Sequence, residues 1–146
     1  MERNTAMKPS PSAVQEAKHP VEGSWARIAW GILVTMRPPE WLKNTLVFAA
    51  IFFSGNLFFR PALLRSAMAF VAFCLASSST YVFNDYHDRK TDLAHPLKCR
   101  RPIASGLLKP EVALGATVVL AAMAIALGYT VNWQTGTAVS AYLILT

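Results

Sequence analysis

Long apolar runs divide this chain, and its polar residues are bunched between them instead of alternating with them. The clearest run is "PALLRSAMAFVAFCLASSSTYVF", residues 61–83. Its one charge, Arg65, lies a turn in, where a long side chain snorkels to the headgroups, and Pro61 suits the first position of a helix. A crossing helix needs about 20 mainly apolar residues, so 61–83 is predicted to span a membrane. Residues 112–131 are uncharged and predict a further span. Residues 42–59 can just cross, with Lys43 and Asn44 near the start and Ser54, Gly55 and Asn56 near the end. A fourth apolar stretch runs from 135 to 146 and stops in mid-span, which reads as truncation.

Ahead of these runs, "SWARIAWGILVTM" (24–36) opens on a serine suited to capping and repeats Trp25, Ile28, Ile32 and Met36 at helical spacing. It is too short to cross, so it predicts an interfacial helix with tryptophans at headgroup level. The prolines of "RPPEW" end it. Residues 1–23 are polar, rich in proline and serine, and lack the apolar core of a signal peptide. They predict a disordered cytoplasmic tail. The fold class is all-α: a multi-pass transmembrane helical bundle.

Composition supports that class. Of 146 residues, 53% are hydrophobic and 15% charged, against roughly 25% charged in soluble domains. A net charge of +6 would suit a nucleic-acid partner, but the cations flank apolar runs and form no single stripe. The predicted partner is the lipid bilayer, and nucleic acid is excluded. Residues 1–43 carry Arg3, Lys8, Lys18, Arg27, Arg37 and Lys43; residues 84–110 carry Arg89, Lys90, Lys98, Arg100, Arg101 and Lys109. The turn after the first span has Arg60 and Arg65, and the one after the third has no charge. Positive-inside bias therefore puts the N-terminus and the 84–110 loop on the cytoplasmic side of an inner membrane. Cys74 and Cys99 show no metal or redox spacing.

The candidate chemistry lies in "YVFNDYHDRKTDLAHPLKCRRPIASG" (81–106), which holds every aspartate of the chain. If 84–92 continue the preceding helix, at about 100° per residue Asp85, Asp88 and Asp92 fall within about 60° of one another, with Asn84 beside Asp88. Clustered carboxylates repel, and a hard cation such as Mg²⁺, or Mn²⁺, would relieve that repulsion while bridging to phosphate oxygens. Lys98, Arg100 and Arg101 follow closely and suit phosphate. His95 reads as a loop residue, Glu111 as a first-turn residue, and Trp41 and Trp133 as interface anchors. A solvated loop of mixed charge explains the same cations without any site.

"NDYHDRKTD" (84–92) resembles the NDxxDxxxD signature of the UbiA-type membrane prenyltransferase superfamily, and "HPLKCRRPIASG" (95–106) resembles the loop that follows it there. "MRPPEWLKNTLVFAAIFFSG" (36–55) is most similar to the decaprenyl-phosphate phosphoribosyltransferase branch. The resemblance implies that this chain is the N-terminal part of a helical bundle of about nine spans, with two aspartate motifs holding Mg²⁺ and diphosphate. It implies Asp85, Asp88 and Asp92 as catalytic metal ligands, and Asn84 in the same motif. Arg89, Lys98 and Arg101 would contact phosphate, and Lys43 and Asn44 would face the donor. The implied reaction moves phosphoribosyl from phosphoribosyl diphosphate to a polyprenyl phosphate, feeding lipid-linked arabinose for cell envelopes. Transfer of a prenyl group from prenyl diphosphate to an aromatic acceptor uses the same motif. Because the second aspartate motif is absent from these residues, an inactive membrane fragment is the third reading.

Overall fold

A computed structural model describes residues 25–146. The tail expected over 1–23 and the capping Ser24 lie outside the described residues. Helix α1 (Trp25–Thr35) leads into a 3-10 segment, Pro38–Phe48, and a short helix α2 (Ala49–Phe53). The long helix α3 (Arg60–Leu93) follows, then a loop containing a 3-10 turn at Lys98–Arg100, then α4 (Pro110–Val131) and α5 (Trp133–Leu145). No strand occurs among the described residues, so the all-α expectation holds. Helices α3 and α4 are long and apolar enough to cross a membrane.

The structure revises the stretch expected as one helix over 42–59. It starts earlier, at Pro38, and its first eleven residues are 3-10. Such a helix rises about 2.0 Å per residue against 1.5 Å for an α-helix. Pro38–Phe53 therefore reaches roughly 30 Å, the thickness of the hydrocarbon. The period of three also stacks side chains in straight rows. Trp41 and Asn44 share the row facing α3, whereas Glu40 and Lys43 share another and form an ion pair.

Three consecutive serines of α3 fasten three different partners. Ser77 Oγ accepts from Asn44 Nδ2 (3.3 Å). Ser78 Oγ accepts from Trp41 Nε1 (2.9 Å) and donates to the Met36 carbonyl (3.2 Å). Ser79 Oγ donates to the Thr117 carbonyl of α4 (2.9 Å). These serines thus do more than let helices approach as small residues do, and Trp41 is a hydrogen-bonded packing residue as well as an aromatic near a helix start.

Two apolar clusters hold the bundle. One joins Ala72 and Ala76 of α3 to Ala124 of α4 and Val139 of α5. The other joins Val82 of α3, Ile103 and Leu108 of the loop, and Ala113 and Leu120 of α4, with Ile28 and Ile32 of α1 against it. Helix α5 starts two residues before the expected 135, because Asn132 Oδ1 accepts from the Thr135 amide (2.7 Å) and caps it. Its Gly136 lies so near α4 that a Cβ there would meet the Tyr129 ring at 2.5 Å, whereas a Cβ on Gly115 would meet nothing within 4 Å. Overpacking of this kind costs about 1–3 kcal/mol. Gly136→Ala is therefore expected to lower the unfolding midpoint in detergent micelles, with Gly115→Ala as the unaffected control. Equal midpoints for the two variants would refute the close α4–α5 contact.

Candidate active site

Helix α3 has 34 residues and so measures about 51 Å, against roughly 30 Å of hydrocarbon. Its last third, which carries Asn84 to Asp92, lies beyond the apolar run that ends at Phe83. The segment expected as a loop over 84–110 is thus helical to Leu93, and the loop proper is residues 94–109.

Helical phase alone made the three aspartates equivalent; burial separates them. Asp85 is 4% exposed and Asp92 2%, whereas Asp88 and Asn84 are open to solvent. Each buried carboxylate is met by arginine. Asp85 Oδ1 accepts from Arg37 Nη2 (2.8 Å) and from Arg101 Nη1 (3.1 Å). The same Arg101 nitrogen donates to Asp92 Oδ2 (2.7 Å). Positions 85 and 92 are two turns apart, about 10 Å along the axis. One nitrogen bridging them draws their oxygens to within about 6 Å of each other. Burial pushes the Asp85 pKa up, and the Arg37 and Arg101 charges pull against it, while Asp92 adds to the rise.

Arg37 reaches Asp85 from a turn that no α-helix could make. Proline at 38 disfavours the right-handed helical region for the residue before it, and Arg37 takes the left-handed region instead (φ 53°, ψ 62°). That conformation costs a non-glycine residue about 1–3 kcal/mol. The guanidinium also lies over the Tyr81 ring, 4.9 Å from its centroid, and Tyr81 Oη donates to Glu40 (3.4 Å). Arg37, Glu40 and Tyr81 are site-region residues that sequence reading missed. An arginine directly before two prolines was the available signal for the first.

The remaining predicted residues divide. Arg89 turns back on its own helix, donating to the Tyr86 carbonyl (2.7 Å) and lying over the Tyr86 ring. Lys98 is exposed in the loop turn, which His95 Nδ1 stabilises by accepting the amides of Leu97 and Lys98. Lys43 is paired with Glu40 and borders a separate hollow of about 400 Å³ with Asn44, Leu46, Val47, Phe73 and Tyr142. Asn44 donates its amide to Cys74 Sγ and Ser77 Oγ, so it serves helix packing. Among the described residues, no three acidic, histidine or cysteine side chains converge as a metal site. Asp85, Asp88 and Asp92 are neighbours along one helix without pointing at one centre.

The described residues form an apolar helical bundle with an Asn-Asp motif at one end and a cationic loop beside it. The chain belongs to the UbiA prenyltransferase family, whose profile matches residues 27–146; proteins of this family are integral to membranes. It is 39% identical over 104 residues to the decaprenyl-phosphate phosphoribosyltransferase of Corynebacterium glutamicum, covering 70% of this chain and 31% of that protein. It is 34% identical over 120 residues to the protein of the same name from Mycolicibacterium smegmatis, covering 80% of this chain and 38% of that one. A protoheme IX farnesyltransferase of Pyrobaculum arsenaticum is 29% identical over 98 residues, covering 66% of this chain and 34% of that protein. The chain spans about a third of the length of these curated relatives.

The unequal burial has a measurable consequence. Hydrogen bonds to charged groups contribute roughly 1.5–3 kcal/mol. Asp85→Asn is expected to lose stability on that scale, because two arginines give up their counter-charge. Asp88→Asn should unfold at the wild-type midpoint, since Asp88 makes no ion pair among the described residues. Equal losses in the two variants, read by unfolding in micelles, would contradict this separation.

Proposed function

We propose that the protein carrying this chain transfers the 5-phosphoribosyl group from phosphoribosyl diphosphate to a polyprenyl phosphate such as decaprenyl phosphate. The product would serve synthesis of lipid-linked arabinose for the cell envelope. The observation that carries the reading is the 39% and 34% identity to two phosphoribosyltransferases over most of the chain. The reaction needs little covalent help from protein. An acceptor phosphate oxygen, already anionic, attacks the anomeric carbon; the bond from that carbon to the diphosphate oxygen breaks, and diphosphate leaves with the electron pair. What the site has to supply is position and positive charge.

Asp88 and Asn84 are the motif groups left in solvent, so they are the ones suited to hold Mg²⁺ or Mn²⁺ together with diphosphate oxygens of the donor. Magnesium commonly takes one or two carboxylates and completes its shell with substrate phosphates and water. Bound there, the ion would neutralise charge on the leaving diphosphate. Lys98 is exposed and can turn to a phosphate, and Arg89 can do so by releasing the Tyr86 carbonyl. Lys43 can reach a donor phosphate only by giving up Glu40, which makes it the weakest of the expected contacts. The second reading, prenyl transfer from a prenyl diphosphate to an aromatic acceptor, is favoured by the farnesyltransferase relative.

Membranes containing the protein, given labelled phosphoribosyl diphosphate with polyprenyl phosphate, should form a labelled lipid. Chelation should abolish it and Mg²⁺ restore it. Membranes given prenyl diphosphate with an aromatic acceptor should stay inactive. Product in the second assay alone would select the prenyl-transfer reading, and full activity in excess chelator would remove the metal from the mechanism.

The proposed orientation places α3's end and the loop 94–109 in the cytoplasm of an inner-membrane protein. Thr91 is exposed beside the motif. A Thr91→Cys variant should react with an impermeant thiol reagent in inverted vesicles and stay unlabelled in intact cells. Labelling from outside intact cells would reverse the topology.

A further inference from the structure

We propose that Asp85 and Asp92 are positioning residues and not metal ligands: with Arg37 and Arg101 they form a closed, charge-balanced network that pins two distant segments to α3. The proposal rests on the reading above only in treating the motif as a metal and diphosphate site.

Two carboxylates and two guanidinium groups sum to zero, and the contacts at 2.8, 3.1 and 2.7 Å leave no step in the chain Arg37–Asp85–Arg101–Asp92 unpaired. Buried carboxylates satisfied in this way have little to gain from a second cation, because coordination would first have to expel an arginine and leave it without a counter-charge. The arginines also do mechanical work. Arg37 joins the end of α1 and the start of the 3-10 segment to α3, holding a left-handed backbone that, among the described residues, only two glycines share. Arg101 joins the loop to α3 at two positions a double turn apart. Pro102 and Leu108, on either side of the Ile103–Leu107 turn, are buried just beyond it, and the Leu108 amide donates to the Pro102 carbonyl (2.8 Å). The loop is therefore folded onto the bundle, and among the described residues its ionic anchor is Arg101. Lys98, the exposed cation proposed for phosphate, sits three residues from that anchor.

Cys99 reports on the anchor. It is half-buried in the loop turn, its thiol 3.5 Å from the Pro96 carbonyl, whereas Cys74 is buried within α3. In wild-type protein in micelles, Cys99 should alkylate slowly, followed by peptide mass spectrometry. Arg101→Gln should raise that rate at least fivefold, and Arg101→Lys should return it most of the way. Mn²⁺ binding in the presence of inorganic pyrophosphate, read from the free-ion electron spin resonance signal, supplies the second measurement. Asp88→Asn should weaken it tenfold or more. Asp92→Asn leaves Arg101 held by Asp85, keeps the loop anchored, and should bind Mn²⁺ within about twofold of wild type. Arg101→Gln alone uncovers a carboxylate and should bind Mn²⁺ more tightly without pyrophosphate.

A tenfold loss of Mn²⁺ affinity in Asp92→Asn would make Asp92 a metal ligand and overturn the proposal. An unchanged Cys99 rate in Arg101→Gln would overturn the anchoring role. If the wild-type protein binds no Mn²⁺ with pyrophosphate, the functional reading fails, and the Cys99 rates still decide whether the network pins the loop.

Discussion

Taking a carboxylate out of water costs several kcal/mol unless a cation comes with it, and Asp85 is placed where this requirement shapes everything around it. It stands at the point where α3 leaves the packed bundle, 4% exposed, with Arg37 arriving from forty-eight residues earlier and Arg101 from sixteen later. The first arginine obliges α1 to end in a left-handed turn before Pro38. The second obliges the loop after α3 to fold back along the helix instead of trailing into solvent. Two connections that would otherwise be loose are thus specified by one buried charge.

Below that point the same logic operates without charge. In an apolar layer a hydroxyl has to find a partner within the protein, and Ser77, Ser78 and Ser79 each find one in a different direction. Helix α3 is fastened to the 3-10 segment by the first two and to α4 by the third. Thr117 instead returns to its own helix at Ala113, and Thr80 returns to Ala76 while also meeting the Thr146 hydroxyl (3.2 Å). The serine triplet therefore acts as a directional joint, and alanine at the same positions would keep the close approach while losing the direction. The 3-10 form of Pro38–Phe48 suits that joint, since its straight rows bring Trp41 and Asn44 to successive positions along α3.

Much of this was legible in the order of residues, and the limits have physical causes. Apolar length marked α3 and α4, and the helical phase placed Asp85, Asp88 and Asp92 on one side. Phase, however, gives angles around one helix and carries no information about which neighbour covers which part of the arc. That is why Asp88, within 60° of the other two, ended in solvent while they were buried. The partner of Asp85 was hidden for a different reason. Arg37 lies in another element, and its path depends on a left-handed residue that local preference disfavours. Lys43 and Asn44 looked alike as polar residues at a helix start. The three-residue rows of the 3-10 segment sent one to Glu40 and the other into the serines of α3.

The balance of charge bears on the proposal that the rim of the bundle takes a ligand arriving with its own cation. Arg37 and Arg101 cancel Asp85 and Asp92, and Lys43 cancels Glu40. Among the described residues, what remains on α3 itself is one open carboxylate, Asp88, with Arg89, Lys90, Lys98 and Arg100 following it in the chain. A bare divalent ion would meet a field that is positive overall and find one carboxylate and an amide to hold it. A diphosphate without metal would meet the cations but also Asp88. The metal–diphosphate complex proposed above would suit both, Asp88 serving the ion and the neighbouring cations the phosphate oxygens. Under the proposed function, the network that removes two aspartates from the surface is what would leave the third free for such a complex.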